Sequence, residues 1–124
     1  LAESDDRYDR EVDRRQVEMA LSHESCVLGS RLAIWMLKDA DLKIFLDASI
    51  EERSKRIVRR EGGSLEDRMA ETSDRDRRDS ARYQRLYGID NNDTSIADLV
   101  IDTTALNAQA VAALIIEEVR RREA

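Results

Sequence analysis

The chain predicts an α/β domain built on a small parallel sheet flanked by helices. Short apolar runs of strand length alternate with longer stretches of helical periodicity, an order that leads to parallel pairing. The runs are almost continuously apolar, as in strands covered on both faces. Two helical stretches open on Ser and close on Gly, and the last opens on Asn, residues that satisfy helix ends.

Each element follows from local pattern. Residues 5–21 are highly charged, and Tyr8, Val12, Met19 and Leu21 form a rough helical stripe. Cys26-Val27-Leu28 reads as a first buried strand ending at the turn Gly29-Ser30-Arg31. Residues 32–37 read as a short helix whose Trp35 and Met36 pack in the core. Residues 42–46 read as a second buried strand. Ser49-Ile50-Glu51-Glu52 fits a capping box and opens a helix that Gly62-Gly63 closes. Ser64 caps the next helix, with Asp67 in its first turn; it runs to Tyr87 and stops at Gly88. Tyr83 and Tyr87 share a face of that helix and are expected to pack on the sheet. Residues 89–94 form a polar loop, and Leu99-Val100-Ile101 reads as a third strand. Asn107 caps a last amphipathic helix with Val111, Leu114, Ile115 and Val119 on one face.

The 124 residues, 1–124, are expected to be one domain or a large part of one. One Phe, one Trp and three Tyr leave the core to rest on Leu, Ile, Val, Ala and Met. A net charge of −6 argues against duplex nucleic acid as a partner, while local arginine clusters can still hold small anions. Cys26 stands alone, which excludes an internal disulfide or a thiolate metal cluster, and it reads as a small buried apolar group. No apolar stretch approaches the roughly 18 residues of a membrane span. A soluble, cytoplasmic protein is expected. His23 lies in a polar turn without a nucleophile beside it, and the carboxylates are too scattered to nominate a glycosidase-like pair.

The arginines remain. Arg53, Arg56 and Arg60 recur down one helix face, and Arg75, Asp79 and Arg82 follow at i, i+4 and i+7 on the next helix. Arg31 comes directly after a predicted strand, at the carboxyl end where α/β sheets bind ligands. Guanidinium groups hold phosphate oxygens in bidentate fashion and keep their charge. Two readings stay open: a phosphate site, or solvated helix faces pairing with Glu51, Glu52 and Glu61 and along an i, i+4 ladder. Arg53 reads as surface.

The run Asp39-Ala40-Asp41-Leu42-Lys43-Ile44-Phe45-Leu46-Asp47-Ala48-Ser49, with Glu52-Arg53 after it, resembles the same region of cytidylate kinases. So do Arg75-Asp76-Arg77-Arg78-Asp79-Ser80-Ala81-Arg82 and Asp98-Leu99-Val100-Ile101-Asp102-Thr103-Thr104. Asp13-Arg14-Arg15-Gln16, Arg31-Leu32-Ala33-Ile34-Trp35-Met36, Arg82-Tyr83 and Leu86-Tyr87-Gly88-Ile89-Asp90 look like the short archaeal-type members. The resemblance implies a P-loop kinase-like parallel sheet with helices on both sides and a mobile lid. It also implies transfer of the terminal phosphoryl group of ATP, with Mg2+, to CMP or dCMP. By the same resemblance Arg56 lies against the adenine of ATP and Arg60 reaches its phosphates. Arg75 approaches the transferring phosphoryl group. Asp79 and Arg82 meet the sugar and phosphate of the acceptor, and Arg31 and Arg10 bind the acceptor as well.

Two departures stand out. Gly29-Ser30 replaces the family's carboxylate-Gly pair before Arg31. No G-x-x-x-x-G-K-[ST] occurs, so the loop that cradles ATP phosphates and binds magnesium is absent from these residues. The chain is therefore expected to be the C-terminal portion of such a kinase, with the lid at about residues 59–88. Its three strands would be the third, fourth and fifth, and the first, central strand would be absent. Alone it is expected to show little or no turnover and to supply no metal ligand; the complete enzyme is expected to be a monomer. The rivals are another phosphate-loop kinase acting on a different small acceptor, and a non-catalytic helical interaction module.

Overall fold

The computed structural model describes residues 6–123, with the side chains of Asp6, Tyr8 and Asp9 outside that description. The elements run α1 (Asp6–Leu21), α2 (Ala33–Met36), β1 (Ile44–Asp47), α3 (Ile50–Glu61), α4 (Leu65–Tyr87), β2 (Leu99–Asp102) and α5 (Ala108–Glu123). β1 and β2 pair in parallel, from Ile44 opposite Leu99 to Asp47 opposite Asp102. Parallel neighbours need a long crossover, and the α3–α4 hairpin supplies it. The architecture is α/β, with a two-stranded parallel sheet flanked by helices.

The expected strand at residues 26–28 is not formed. Val27 is 99% exposed and Cys26 is exposed too, its thiol reaching only the Ala20 carbonyl at 3.5 Å. Three apolar residues make a strand only where a ladder partner lies alongside, and β1 and β2 bond to each other instead. The expected stripe on α1 is also not its buried side. Val12, Met19 and Leu21 are exposed, and Tyr8 lies outside the described side chains. The inward positions are Asp13, Gln16, Val17 and Ala20, a half-polar face at helical spacing.

The helix ends form as the sequence dictates. Ser49 Oγ accepts from the Glu52 amide at 3.1 Å, and Ser64 Oγ from the Asp67 amide at 3.1 Å. Asn107 Oδ1 accepts from the Ala110 amide at 2.8 Å. Each satisfies one of the orphan donors of a first turn. Gly62 ends α3 at φ 83°, ψ −166°, and Gly88 ends α4 in the left-handed region at φ 65°. Both conformations suit a residue without Cβ.

α3 and α4 pack closely through small residues, with Ser54 and Thr72 buried. Arg53 donates to both oxygens of Asp76, at 3.1 and 2.7 Å, and Arg68 Nε donates to the Gly62 carbonyl at 3.0 Å. Arg53, read above as surface, thus spans the hairpin. The apolar core is small: Ala20, Leu32, Ile34, Tyr83 and Ile101. Trp35 meets Phe45 edge to face, centroids 5.9 Å apart, so α2 leans on β1. Tyr87 turns to α1 rather than to the sheet, its hydroxyl donating to Asp13. The apolar side chains of α5 remain largely exposed, as do Leu46 and Val100 on the strands. No described helix is long and apolar enough to cross a membrane.

Candidate functional site

Asp79 and Arg82 stand one turn apart on α4, so their side chains share a face. Burial of Leu32 pins the segment ahead of α2 and brings Arg31 to the same place. Arg31 Nη1 donates to Asp79 Oδ2 at 2.6 Å, and Arg82 Nη2 donates to Asp79 Oδ1 at 3.1 Å. One carboxylate therefore lies between two guanidiniums, and the trio carries a net positive charge. The Asp79 and Arg82 side chains are 10% and 15% exposed, whereas Arg31 is 64% exposed. Arg82 also lies 5.5 Å from the Tyr83 ring centroid, within cation–π range.

A cleft of about 250 Å³ opens beside this trio. Arg31, Leu32 and Ser30 form one wall, Arg82, Tyr83 and Leu86 of α4 a second, and Asp13 and Gln16 of α1 a third. Arg10 donates to the Leu86 carbonyl at 3.3 Å, at the cleft's edge. Opposite the guanidiniums, Gln16 Oε1 accepts from Ser30 Oγ at 3.0 Å and Asp13 accepts from Tyr87. Arg31 and Arg82, 51 positions apart in sequence, thus line one concavity, with Asp79 bridging them behind it and Arg10 bonded to the lining residue Leu86.

The other predicted residues lie elsewhere. Arg56 Nη2 donates to the Thr103 carbonyl at 2.8 Å and Nε to Glu52 at 3.3 Å. It lines a broader hollow of about 1060 Å³ between β1, α3 and the turn after β2, together with Arg53, Arg59, Asp47 and Asp76. The Arg59 hydrogen bond, aided by the charges of Arg59 and Arg56, holds the Glu52 carboxyl below its usual range, against a smaller opposing effect of burial. The hydrogen bonds that Arg53 donates to Asp76 raise its guanidinium above its usual value, with burial opposing. Arg60 is exposed, its nearest carboxylate being Glu61 at 3.9 Å. Arg75 is exposed and makes no ion pair among the described residues. Arg60 and Arg75 are therefore not gathered with the other four.

Sequence reasoning missed Asp13, Gln16, Ser30 and Tyr87. The signal was the polar i, i+3 pair Asp13 and Gln16, in phase with small Ala20, on a helix whose Val12, Met19 and Leu21 point outwards. No three His, Cys, Asp or Glu side chains gather as a metal site among the described residues.

Comparison with known proteins gives the family. Residues 2–105 match the cytidylate kinase-like family. The chain is 48% identical over 114 residues to the cytidylate kinase of Pyrococcus abyssi, covering 92% of this chain and 62% of that one. It is 47% identical to the cytidylate kinase of Pyrococcus furiosus, covering 92% of this chain and 59% of that one. Cytidylate kinase 2 of Borreliella afzelii is 46% identical over 120 residues, covering 95% of this chain and 67% of that one. The chain spans about three fifths of the length of the archaeal relatives, 62% and 59%. With the family matched over most of its length, the chain belongs to the cytidylate kinase-like family.

Proposed function

We propose that this chain carries the acceptor-nucleotide site and the lid of a P-loop-type nucleoside monophosphate kinase. The reaction moves the terminal phosphoryl group of ATP to CMP or dCMP, giving CDP or dCDP. The observation that supports it is the Arg31–Asp79–Arg82 trio beside a small cleft.

In this reading Arg31, Arg82 and Arg10 hold the acceptor phosphate, and Asp79 accepts from a sugar hydroxyl. The acceptor phosphate oxygen is the nucleophile, so no side-chain nucleophile is needed and catalysis rests on positioning and charge. Arg56, bonded to the turn after β2, lies against the donor base. Arg60 and Arg75 reach the donor phosphates and the transferring group when residues 59–88 close as a lid and exclude water. Both are exposed, which leaves them free to swing with that segment. Mg2+ neutralises charge on the donor phosphates when bound, and no ligand for it is assigned among the described residues. The reading carries with it a monomeric cytoplasmic enzyme that acts on neither nucleic acid nor membrane. Because the sequence holds no G-x-x-x-x-G-K-[ST], these 124 residues are expected to bind acceptor with little or no turnover.

Titration calorimetry tests this. CMP binding that weakens as salt is raised, and disappears in the Arg31→Ala, Arg82→Ala double variant, is the expected result. Absence of CMP binding, or a double variant that binds as the parent does, overturns it. Exposed ladders such as Arg14–Glu18 and Arg77–Asp74 would also suit a helical interaction module. Melting temperatures indifferent to both ATP and CMP would favour that second reading.

A further inference from the structure

The cleft is divided chemically. Its guanidinium side can take an anion, but Asp13 and Gln16 on the α1 side have no use for a phosphate, and a carboxylate would repel one. These two stand three residues apart on the inward face of α1, so they present hydrogen-bonding groups side by side. Each is oriented by a partner. Tyr87 donates to Asp13, and Ser30 donates to Gln16 Oε1 at 3.0 Å. Because the amide oxygen is engaged by Ser30, the amide nitrogen is the end of Gln16 left to donate. The wall therefore offers an acceptor, the Asp13 carboxylate, next to a donor, the Gln16 amide.

We propose that Asp13 and Gln16 read the base of the acceptor nucleotide and select cytosine over uracil. This rests on the acceptor-site reading above. Cytosine shows its amine, a donor, beside ring N3, an acceptor, which complements the pair. Uracil shows a carbonyl oxygen beside N–H, the reverse order, and would set a carboxylate against an oxygen while leaving two donors facing each other. Adenine shares the cytosine pattern, so this pair does not by itself set CMP apart from AMP. Leu32, Tyr83 and Leu86 add apolar surface to the walls that carry the guanidiniums. Selection against uracil thus comes from polarity. Ser30 and Tyr87 act as positioning residues through Gln16 and Asp13. Gly29-Ser30 leaves no carboxylate ahead of Arg31, and Asp13 on α1 supplies the acceptor-only group instead.

Binding of CMP, UMP, AMP and ribose 5-phosphate to the 124-residue chain, measured by titration calorimetry, separates the possibilities. The parent is expected to hold CMP at least about tenfold tighter than UMP, the scale set by leaving a buried polar group unpaired. Gln16→Met keeps the length and removes both polar atoms, and should bring the two nucleotides within about threefold while leaving ribose 5-phosphate binding unchanged. Asp13→Asn, which can present a donor, should raise UMP relative to CMP and keeps the test open if Gln16→Met does not fold. A parent without base preference, or a preference that survives in every folded variant, overturns this inference and leaves the phosphate reading standing. Failure of all four ligands, ribose 5-phosphate included, overturns the acceptor-site reading and this inference with it.

Discussion

Asp79 shows how much one side chain's surroundings decide. It is largely buried and pairs with two guanidiniums of unequal burial, Arg82 at 15% and Arg31 at 64% exposure. Losing the buried partner of a buried charge costs more than losing an exposed one. Arg82→Ala is therefore expected to lower stability by about 1–3 kcal/mol, since Asp79 keeps only the exposed Arg31. Arg31→Ala is expected to cost under about 1 kcal/mol. Urea denaturation of both variants checks the order, and equal or inverted losses would contradict it. The arginines and Asp79 were legible in sequence because spacing along a helix is local information. Asp13 and Gln16 were not, because their importance lies in a contact with Ser30 and with Tyr87, which is 74 positions from Asp13. The partner of Arg53 was not legible for the same reason: a pairing to Asp76, 23 positions on, is invisible to periodicity.

At the scale of elements, ends were easier to read than partners. Ser49, Ser64 and Asn107 each cap a helix as their sequence context indicates, because a cap needs only three following residues. Ser49→Ala and Ser64→Ala are each expected to cost about 0.5–2 kcal/mol. Gly62→Ala is expected to cost about 1–3 kcal/mol, since φ 83° with ψ −166° is a region essentially reserved for glycine. A Cβ there would meet nothing within 4 Å, so the cost is one of backbone conformation and not of crowding. Thermal denaturation followed by circular dichroism reads these losses, and a neutral Gly62→Ala would show that the turn relaxes. The run Cys26-Val27-Leu28 marks the limit of local reading. It has strand composition, yet a strand exists only with a ladder beside it, and composition does not state where the ladder is.

At the scale of the whole molecule, exposed ion pairs set the sign of the pH dependence. Glu11, Glu52 and Glu118 have carboxyls held below their usual range by hydrogen bonds from Arg14, Arg59 and Arg121 respectively, and Asp102 by its bonds to Thr104. A carboxyl depressed in the folded state leaves that state with fewer bound protons than the unfolded chain. Its contribution is complete above the unfolded value and fades as pH falls through the folded one. Stability is thus expected to hold from neutral pH to the ordinary carboxylate range and to decline below about pH 4. Urea midpoints across that range test the sign, and a midpoint that rises in acid would contradict it. The pairing of β1 with β2 was legible only in outline: parallel direction follows from alternation, whereas its register joins residues 55 positions apart, Ile44 with Leu99.

The attachment of α1 has a consequence of its own. Its moorings to the rest of the chain include Arg10 on the Leu86 carbonyl, Asp13 with Tyr87, and Gln16 with Ser30, and all three border the same small cavity. A guest that engages those atoms becomes part of the hinge by which the first helix hangs. Occupancy and docking of that helix are then two descriptions of a single equilibrium, and whatever loosens one must loosen the other.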